Sequence, residues 1–337
     1  MILVTGGTGL VGSHLIYALL SKGYQVKAFI RPSSNKKNTL RTISYYCGNP
    51  NDLYNRIIWA EGDILDPISI DEALQDINKV YHTAAHISFN PREKGRVFHT
   101  NVGGTANIVN ACINNKIEKL CFVSSIGALG QNEDGSPIHE GVYWKPSKYD
   151  SVYSISKYQS EMEVWRGITE GLDAIIFNPS VILGPGNWTK GSPAFFHFGN
   201  KGLPFYAPGT TGFVDVRDLV ELMVVLMENN YTGERFIISN ENISYKEFFT
   251  KISVALHKKP PKYRVNSLIL KWLYWMEYIK SILFNVEPQI TKELIDISQK
   301  ELLYTNEKVK RSLNFTFRPF EKTISDIAQF YINERKK

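Results

Sequence analysis

The chain is poor in cysteine: it has Cys47, Cys112 and Cys121, an odd number with no C-x-x-C pair among them. Neither a disulfide framework nor a zinc ribbon fits that pattern, and a reducing, cytoplasmic setting is expected. Metal-ligand spacing is missing too. His82, His86, His99, His139 and His197 form no H-E-x-x-H or other close pattern with the carboxylates, so no metal site is predicted. Charge of one sign is nowhere concentrated, since 39 Lys+Arg stand against 33 Asp+Glu, a formal +6 scattered along the chain. Without a basic arm or stripe, nucleic acid is not an expected partner. No secretion signal is visible, because Met1-Ile2-Leu3-Val4-Thr5-Gly6 runs directly from the initiator into an apolar stretch and a glycine turn.

Long apolar runs are equally scarce. Residues 267–284 alone approach membrane length, and Lys271, Glu277 and Lys280 interrupt them. Lys271, Tyr274, Glu277 and Ser281 recur at helical spacing, which predicts an amphipathic helix docked on the protein's own core, with a membrane surface or partner as the alternative. Core-forming residues are present in ordinary amounts: 43% hydrophobic and 21% charged over 337 residues, enough for one large or two small domains.

Short β-type runs at residues 2–5, 25–30, 57–60, 79–83, 119–124 and 173–178 alternate with helical patterns, which implies a parallel sheet with crossover helices. Several are apolar without a period of two, as expected of strands covered on both faces. After Asn178 the texture becomes rich in Gly, Pro and aromatic residues, and beyond Tyr245 it is mostly helical. The predicted fold is therefore α/β, a doubly wound parallel sheet of the Rossmann type with a smaller, mostly helical C-terminal substrate domain. Strand-like patterns near residues 213 and 235 predict interleaving, with 1–178 and 212–240 in the dinucleotide domain and 179–211 and 241–337 in the substrate domain.

The segment Gly6-Gly7-Thr8-Gly9-Leu10-Val11-Gly12 lies between the first strand and a helical pattern carrying Leu15, Leu19 and Leu20. That context meets the requirement of a dinucleotide fingerprint: glycines let the backbone turn and approach a pyrophosphate, whose charge is met by amides at a helix N-terminus. The second strand ends in Arg31-Pro32-Ser33-Ser34, not in the acidic residue that would hold a free ribose 2′-hydroxyl. Arginine there suits a 2′-phosphate, with Lys36 and Lys37 adding charge, so NADP is expected ahead of NAD; an Arg31 stacked on adenine would serve either. Asp63, in Gly62-Asp63-Ile64 after the third strand, is placed to accept from the adenine amino group or to cap a turn.

Tyr153 and Lys157 sit at i and i+4, one turn apart on one helix face. A phenol of ordinary pKa near 10 is a slow acid or base at neutral pH, but a neighbouring ammonium and a cationic nicotinamide ring favour its phenolate. Ser124 and Ser125 end the fifth strand, at the carboxyl edge where such sheets bind ligands. Ser125 can bond the same substrate oxygen as Tyr153, whereas Ser124 reads as a strand-end or backbone contact. Hydroxyl, phenol and ammonium beside a hydride carrier describe carbonyl/alcohol redox chemistry.

These motifs together resemble the extended short-chain dehydrogenase/reductase superfamily. The resemblance includes His82-Thr83-Ala84-Ala85, Asn101-Val102-Gly103-Gly104-Thr105, Asn178-Pro179-Ser180-Val181 and Gly184-Pro185-Gly186. It implies Ser125, Tyr153 and Lys157 as catalytic triad, with Tyr153 the acid/base and Lys157 on the nicotinamide ribose. It further implies cofactor contacts from Gly6, Thr8, Gly9, Leu10, Val11, Gly12, Ile64, Thr83, Ala84, Ala85, Ser124, Pro179 and Val181, with Asn101 supporting the site. Arg31-Pro32-Ser33, Ser124-Ser125-Ile126-Gly127-Ala128 and Phe213-Val214-Asp215-Val216-Arg217-Asp218 look like the dihydroflavonol reductase branch, which borders the 3β-hydroxysteroid dehydrogenases. Sugar-nucleotide epimerases usually carry a diphosphate-gripping Arg where this chain has Thr211, so an epimerase is the second expectation and a non-catalytic dinucleotide-binding protein the third. Phe89, Phe195 and Tyr206, with His86, Ser125 and Asn178, are expected near an apolar or aromatic small-molecule substrate, although each ring taken singly could be core. The family likeness also implies a homodimer through helices near residues 101–115 and 151–167.

Overall fold

A computed structural model of the chain describes residues 1–88, 90–147, 150–202, 204–265, 275–276 and 292–336. Seven strands form one parallel sheet: β1 (Ile2–Thr5), β2 (Val26–Ile30), β3 (Ile58–Glu61), β4 (Lys79–His82), β5 (Lys119–Val123), β6 (Ala174–Pro179) and, late in the chain, β10 (Glu234–Ile238). Their order is β10-β6-β5-β4-β1-β2-β3, so the chain winds outward from β1 in one direction and, from β4 on, in the other. In such sheets the ligand crevice lies outside the carboxyl ends of the strands at the point where their order reverses, here between β1 and β4, where Thr5 lies beside both Phe29 and His82.

Alternate residues of the same strand feed two cores, which is why the strand sequences lack a period of two. Val4, Tyr81, Cys121 and Ile175 point to the core under the helices Leu10–Ser21 and Val216–Glu228, while Leu3, Val80, Leu120 and Ile176 point to the core under Gly104–Asn114 and Val152–Thr169. Leu15, Ile16, Leu19 and Leu20 recur at helical spacing in the first of these helices and are buried together. The predicted doubly wound sheet is the one observed, with strand ends within a residue or so of those expected.

The remaining strands are β7 (Val181–Leu183), β8 (Phe205–Tyr206), β9 (Thr210–Asp215), β11 (Glu241–Ser244) and β12 (Tyr263–Arg264). The first, third and fourth form a small sheet in the order β11-β9-β7, and β8 pairs with β12. Beside them a third core gathers Phe196, Phe213, Phe248, Ile252, Phe320 and Ile324 from the helices Ala194–Lys201, Tyr245–Ala255 and Phe320–Lys336 and from β9. Four of these five strands were not expected, because runs of two to four residues carry too little periodicity to read. Their partners are distant in sequence.

Polar ties fasten the C-terminal helix to the sheet layers. Asp215 accepts from the Arg217 amide at 2.7 Å and from Thr323 Oγ1 at 2.8 Å, Arg217 donates to Asp326 at 2.8 Å, and Arg318 pairs with Asp218. Glu334 accepts from Trp188 Nε1 at 2.7 Å and pairs with Arg41. The predicted amphipathic helix at 267–284 lies outside the described residues apart from Trp275 and Met276, both exposed. No helix of the described residues is long and apolar enough to cross a membrane.

Two buried histidines make the fold acid-sensitive. His82 lies between Thr5 Oγ1 at 2.8 Å and Thr105 Oγ1 at 3.1 Å, and His14 between the Tyr46 hydroxyl and the Pro185 carbonyl. Burial lowers His82 to about 3 and His14 to about 4. The unfolded chain, titrating near 6.5, therefore takes up protons that the folded chain refuses, and stability falls as pH drops below that value. Unfolding of the ligand-free protein is expected to be easier at pH 5 than at pH 7 by about 2 kcal/mol per histidine. Denaturant titrations of His82→Asn at both pH values should show a shallower loss.

Candidate active site

The glycine turn stands at the mouth of the crevice. Gly6 leaves β1 with φ of 70°, in the left-handed region, and a Cβ there would lie 2.9 Å from the Ala84 backbone. A Cβ on Gly12 would lie 2.3 Å from the Gly6 carbonyl oxygen. Gly9 donates to that oxygen at 2.9 Å and precedes the helix Leu10–Ser21 without any side-chain cap. The first-turn amides of Leu10 and Val11 thus have no partner within the helix, and the close-packed turn beneath them is a cradle suited to a pyrophosphate. Thr83 Oγ1 donates to the Thr5 carbonyl at 2.7 Å and Ala84 N to Thr5 Oγ1 at 3.2 Å, which holds residues 83–85 beside the turn. The residues present fit a dinucleotide.

Tyr153 and Lys157 rise from the helix Val152–Thr169, which Ser151 caps by accepting from Ser154 N at 2.9 Å. The Tyr153 hydroxyl is hydrogen-bonded to Ser125, whose oxygen also accepts from the Gly127 amide at 3.0 Å. Burial pushes the Tyr153 phenol up to about 12, against the lowering effect of Ser125. It is therefore a protonated donor at neutral pH in the ligand-free protein. Lys157 Nζ donates to the Val123 carbonyl at 2.7 Å and lies 4.4 Å from the centre of the Phe122 ring. Burial pulls this ammonium down to about 7, and the Glu161 carboxylate counteracts part of that.

Glu161 is the site residue that sequence reasoning missed. It is fully buried one turn beyond Lys157, accepts from Ser124 Oγ at 2.8 Å and from Asn178 Nδ2 at 2.9 Å, and pairs with Arg235 Nη1 at 3.0 Å. Its continuation of the Tyr153, Lys157 series at four-residue spacing was the available signal. Arg235, on β10, had no local signal at all.

Asn101 lies in a π-helical turn, His99–Gly103, of the kind that often marks functional sites. Its side chain accepts from His86 N at 2.7 Å and donates to the His86 carbonyl and Ser156 Oγ, each at 3.0 Å, so it joins the loop after β4 to the Tyr153 helix. The other predicted residues divide. Asn178 Nδ2 also donates to the Ser125 carbonyl at 3.0 Å, while its Oδ1 is buried without a hydrogen-bond partner among the described residues. Ser124 spends its hydroxyl on Glu161 and has its backbone to offer. Pro179 and Val181 flank the bend between β6 and β7, and Ile64 packs on Gly104. Asp63 uses one oxygen to accept from Leu65 N at 3.0 Å, the turn-capping alternative, and Arg31 is exposed at the carboxyl end of β2. His86 Nε2 lies 3.2 Å from Glu93. Phe195 packs edge-on against Phe248, and Tyr206 lies beneath Lys246. Phe89 lies outside the described residues.

A protonated phenol, a hydroxyl and an ammonium converging beside a dinucleotide cradle can polarise a carbonyl oxygen and deliver a proton to it. Residues 2–239 match the NAD dependent epimerase/dehydratase family. The chain belongs to that family, and it is an NAD(P)-dependent oxidoreductase of the extended short-chain dehydrogenase/reductase type. A Synechocystis protein provisionally named a dihydroflavonol 4-reductase is 28% identical over 98% of this chain and 94% of its own. Sterol demethylase protein B of Methylococcus capsulatus is 30% identical over 71% of this chain and 70% of its own. Among solved structures, gox2253 superposes with a TM-score of 0.79 at 28% identity, covering 99% of this chain and 98% of that one.

Two substitutions test the geometry. Gly12→Ala is expected to force the turn open at a cost of roughly 1–3 kcal/mol and to weaken dinucleotide affinity at least about tenfold by calorimetry. Glu161→Gln leaves the Arg235 guanidinium without its anion and should lower stability by about 3 kcal/mol in denaturant titration, whereas Glu161→Gln with Arg235→Met should recover much of that loss.

Proposed function

We propose that the chain is an NADP(H)-dependent reductase of an apolar or aromatic ketone or aldehyde, of the dihydroflavonol-reductase type. The observation that carries this reading is the state of the arginines around the smaller sheet. Arg217 is committed to Asp215 and Asp326, Arg318 to Asp218 and Glu221, and Thr211 is buried in β9. A sugar nucleotide needs guanidinium forks for its diphosphate, and Arg217 and Arg318, which adjoin the smaller sheet, are already spent on carboxylates. The sequence of residues 266–291 adds no further arginine. The names of the Synechocystis relative and of the dihydroflavonol 4-reductases of apple and Arabidopsis, 25% and 26% identical, agree with a reductase.

In this reading the bound nicotinamide supplies a hydride to the carbonyl carbon. Tyr153 donates its phenolic proton to the carbonyl oxygen as charge develops there, and Ser125 orients that oxygen by a second hydrogen bond. Lys157 in its charged form favours the phenolate left behind, and Glu161 helps Lys157 keep its proton. Arg31, exposed beside the adenosine end of the crevice, meets the 2′-phosphate that distinguishes NADP. Residues 1–178 with 212–240 would bind the cofactor, and 179–211 with 241–337 the substrate.

Tyr153→Phe should lower carbonyl turnover by about 10²–10⁴-fold while leaving cofactor affinity nearly intact. Unchanged turnover would remove Tyr153 from the reaction. In parallel calorimetric titrations NADPH should bind at least about tenfold tighter than NADH, and Arg31→Ala should erase that gap. Protein that purifies with bound NAD and consumes no added NADPH would point instead to a sugar-nucleotide epimerase.

A further inference from the structure

The strand pair β8 and β12 lies at one edge of the smaller unit, held by hydrogen bonds from Lys262 N and Tyr263 N to the Pro204 carbonyl at 2.9 and 3.0 Å and from Val265 N to the Tyr206 carbonyl at 3.0 Å. The pairing places Phe205 next to Tyr263, their ring centres 6.0 Å apart and their surfaces 46% and 61% exposed. Val254, near the end of the adjoining helix Tyr245–Ala255, is 61% exposed. Residues 248–264 contain no Asp or Glu. Lys251 is paired with Glu247 and Glu321, but Lys258, Lys259, Lys262 and Arg264 are exposed and form no ion pair among the described residues.

We propose that this edge docks on an anionic lipid surface. Four cations without an ion pair among the described residues, with Lys262 and Arg264 on backbone held to the strand pair, match a negative headgroup layer, and attraction to such a layer is worth about fivefold in partitioning per basic residue. Charge alone would serve any polyanion. Exposed rings paired across the same edge, with Tyr263 between Lys262 and Arg264 in sequence, are what an interfacial site adds, since aromatic side chains favour the headgroup level. The residues lie outside the dinucleotide crevice and the Tyr153 cluster but within the segments proposed above to hold the substrate, and vesicle flotation reads lipid binding without reference to turnover.

Flotation of the whole chain with vesicles of phosphatidylcholine, with and without an equal share of phosphatidylglycerol, tests the proposal. Binding to the anionic vesicles alone is expected at 0.1 M salt, where the Debye length is about 10 Å, and its loss near 1 M, where it is about 3 Å. The combined variant Lys258→Glu, Lys259→Glu, Lys262→Glu should weaken partitioning at least about 10²-fold, and Phe205→Ser with Tyr263→Ser should weaken it at unchanged charge. Thermal melts of the variants should match the parent protein. If a variant melts early, the salt series on the parent protein decides the matter. Equal binding to neutral and anionic vesicles, or full binding by the triple variant, would overturn the proposal. So would heparin binding as tight as vesicle binding together with no effect of the ring substitutions, which would assign the edge to a polyanion instead.

Discussion

A carboxylate without access to solvent organises the catalytic half of the molecule. Glu161 reaches from its helix to Ser124 at the end of β5, Asn178 on β6 and Arg235 on β10, three strands that are consecutive in the sheet. A buried charge of this kind costs several kcal/mol to desolvate and is tolerated only when its lone pairs are met. Here they are met by groups that also define the site, so the register of three strands and the placement of Ser125 and Lys157 are set together. The same anion opposes the loss of charge that burial imposes on Lys157.

The cofactor half depends on a different constraint, closeness of backbone to backbone. Gly6 abuts Ala84 and Gly12 abuts the Gly6 carbonyl, so the turn after β1 and the loop after β4 occupy one compact shelf at the point where the strand order reverses. Thr5 and His82 tie the two strands side by side beneath that shelf. The smaller unit is joined to the sheet layers by β9, which supplies Phe213 to one core and Val214 to another, and by pairs of the buried Asp215 and Asp218 with Arg217 and Arg318.

Local pattern was enough to read the doubly wound sheet, because each strand of a parallel sheet is an apolar run bounded by turn residues and each crossover helix has its own period. The glycine turn and the Tyr153, Lys157 spacing were equally legible, since their geometry is dictated within a few residues. Asn101 was reached by family likeness alone; its π-helical turn and its bonds to His86 and Ser156 have no sequence periodicity of their own. Phe195 was expected near substrate from the crowding of aromatic residues; its edge-on packing against Phe248 is a tertiary contact that its sequence position did not show.

The sequence by itself therefore determined the fold class, the place of the dinucleotide cradle and the phenol-ammonium pair, all of which are short-range consequences of backbone freedom and helical pitch. Tertiary structure decided which charges are free and which are spent. Arg235 becomes the partner of Glu161 across 74 residues, and Arg217 and Arg318 are committed to carboxylates, by contacts that form when separate segments pack. Long-range electrostatic pairing leaves no periodic trace, because any arginine can reach any carboxylate that folding brings to it.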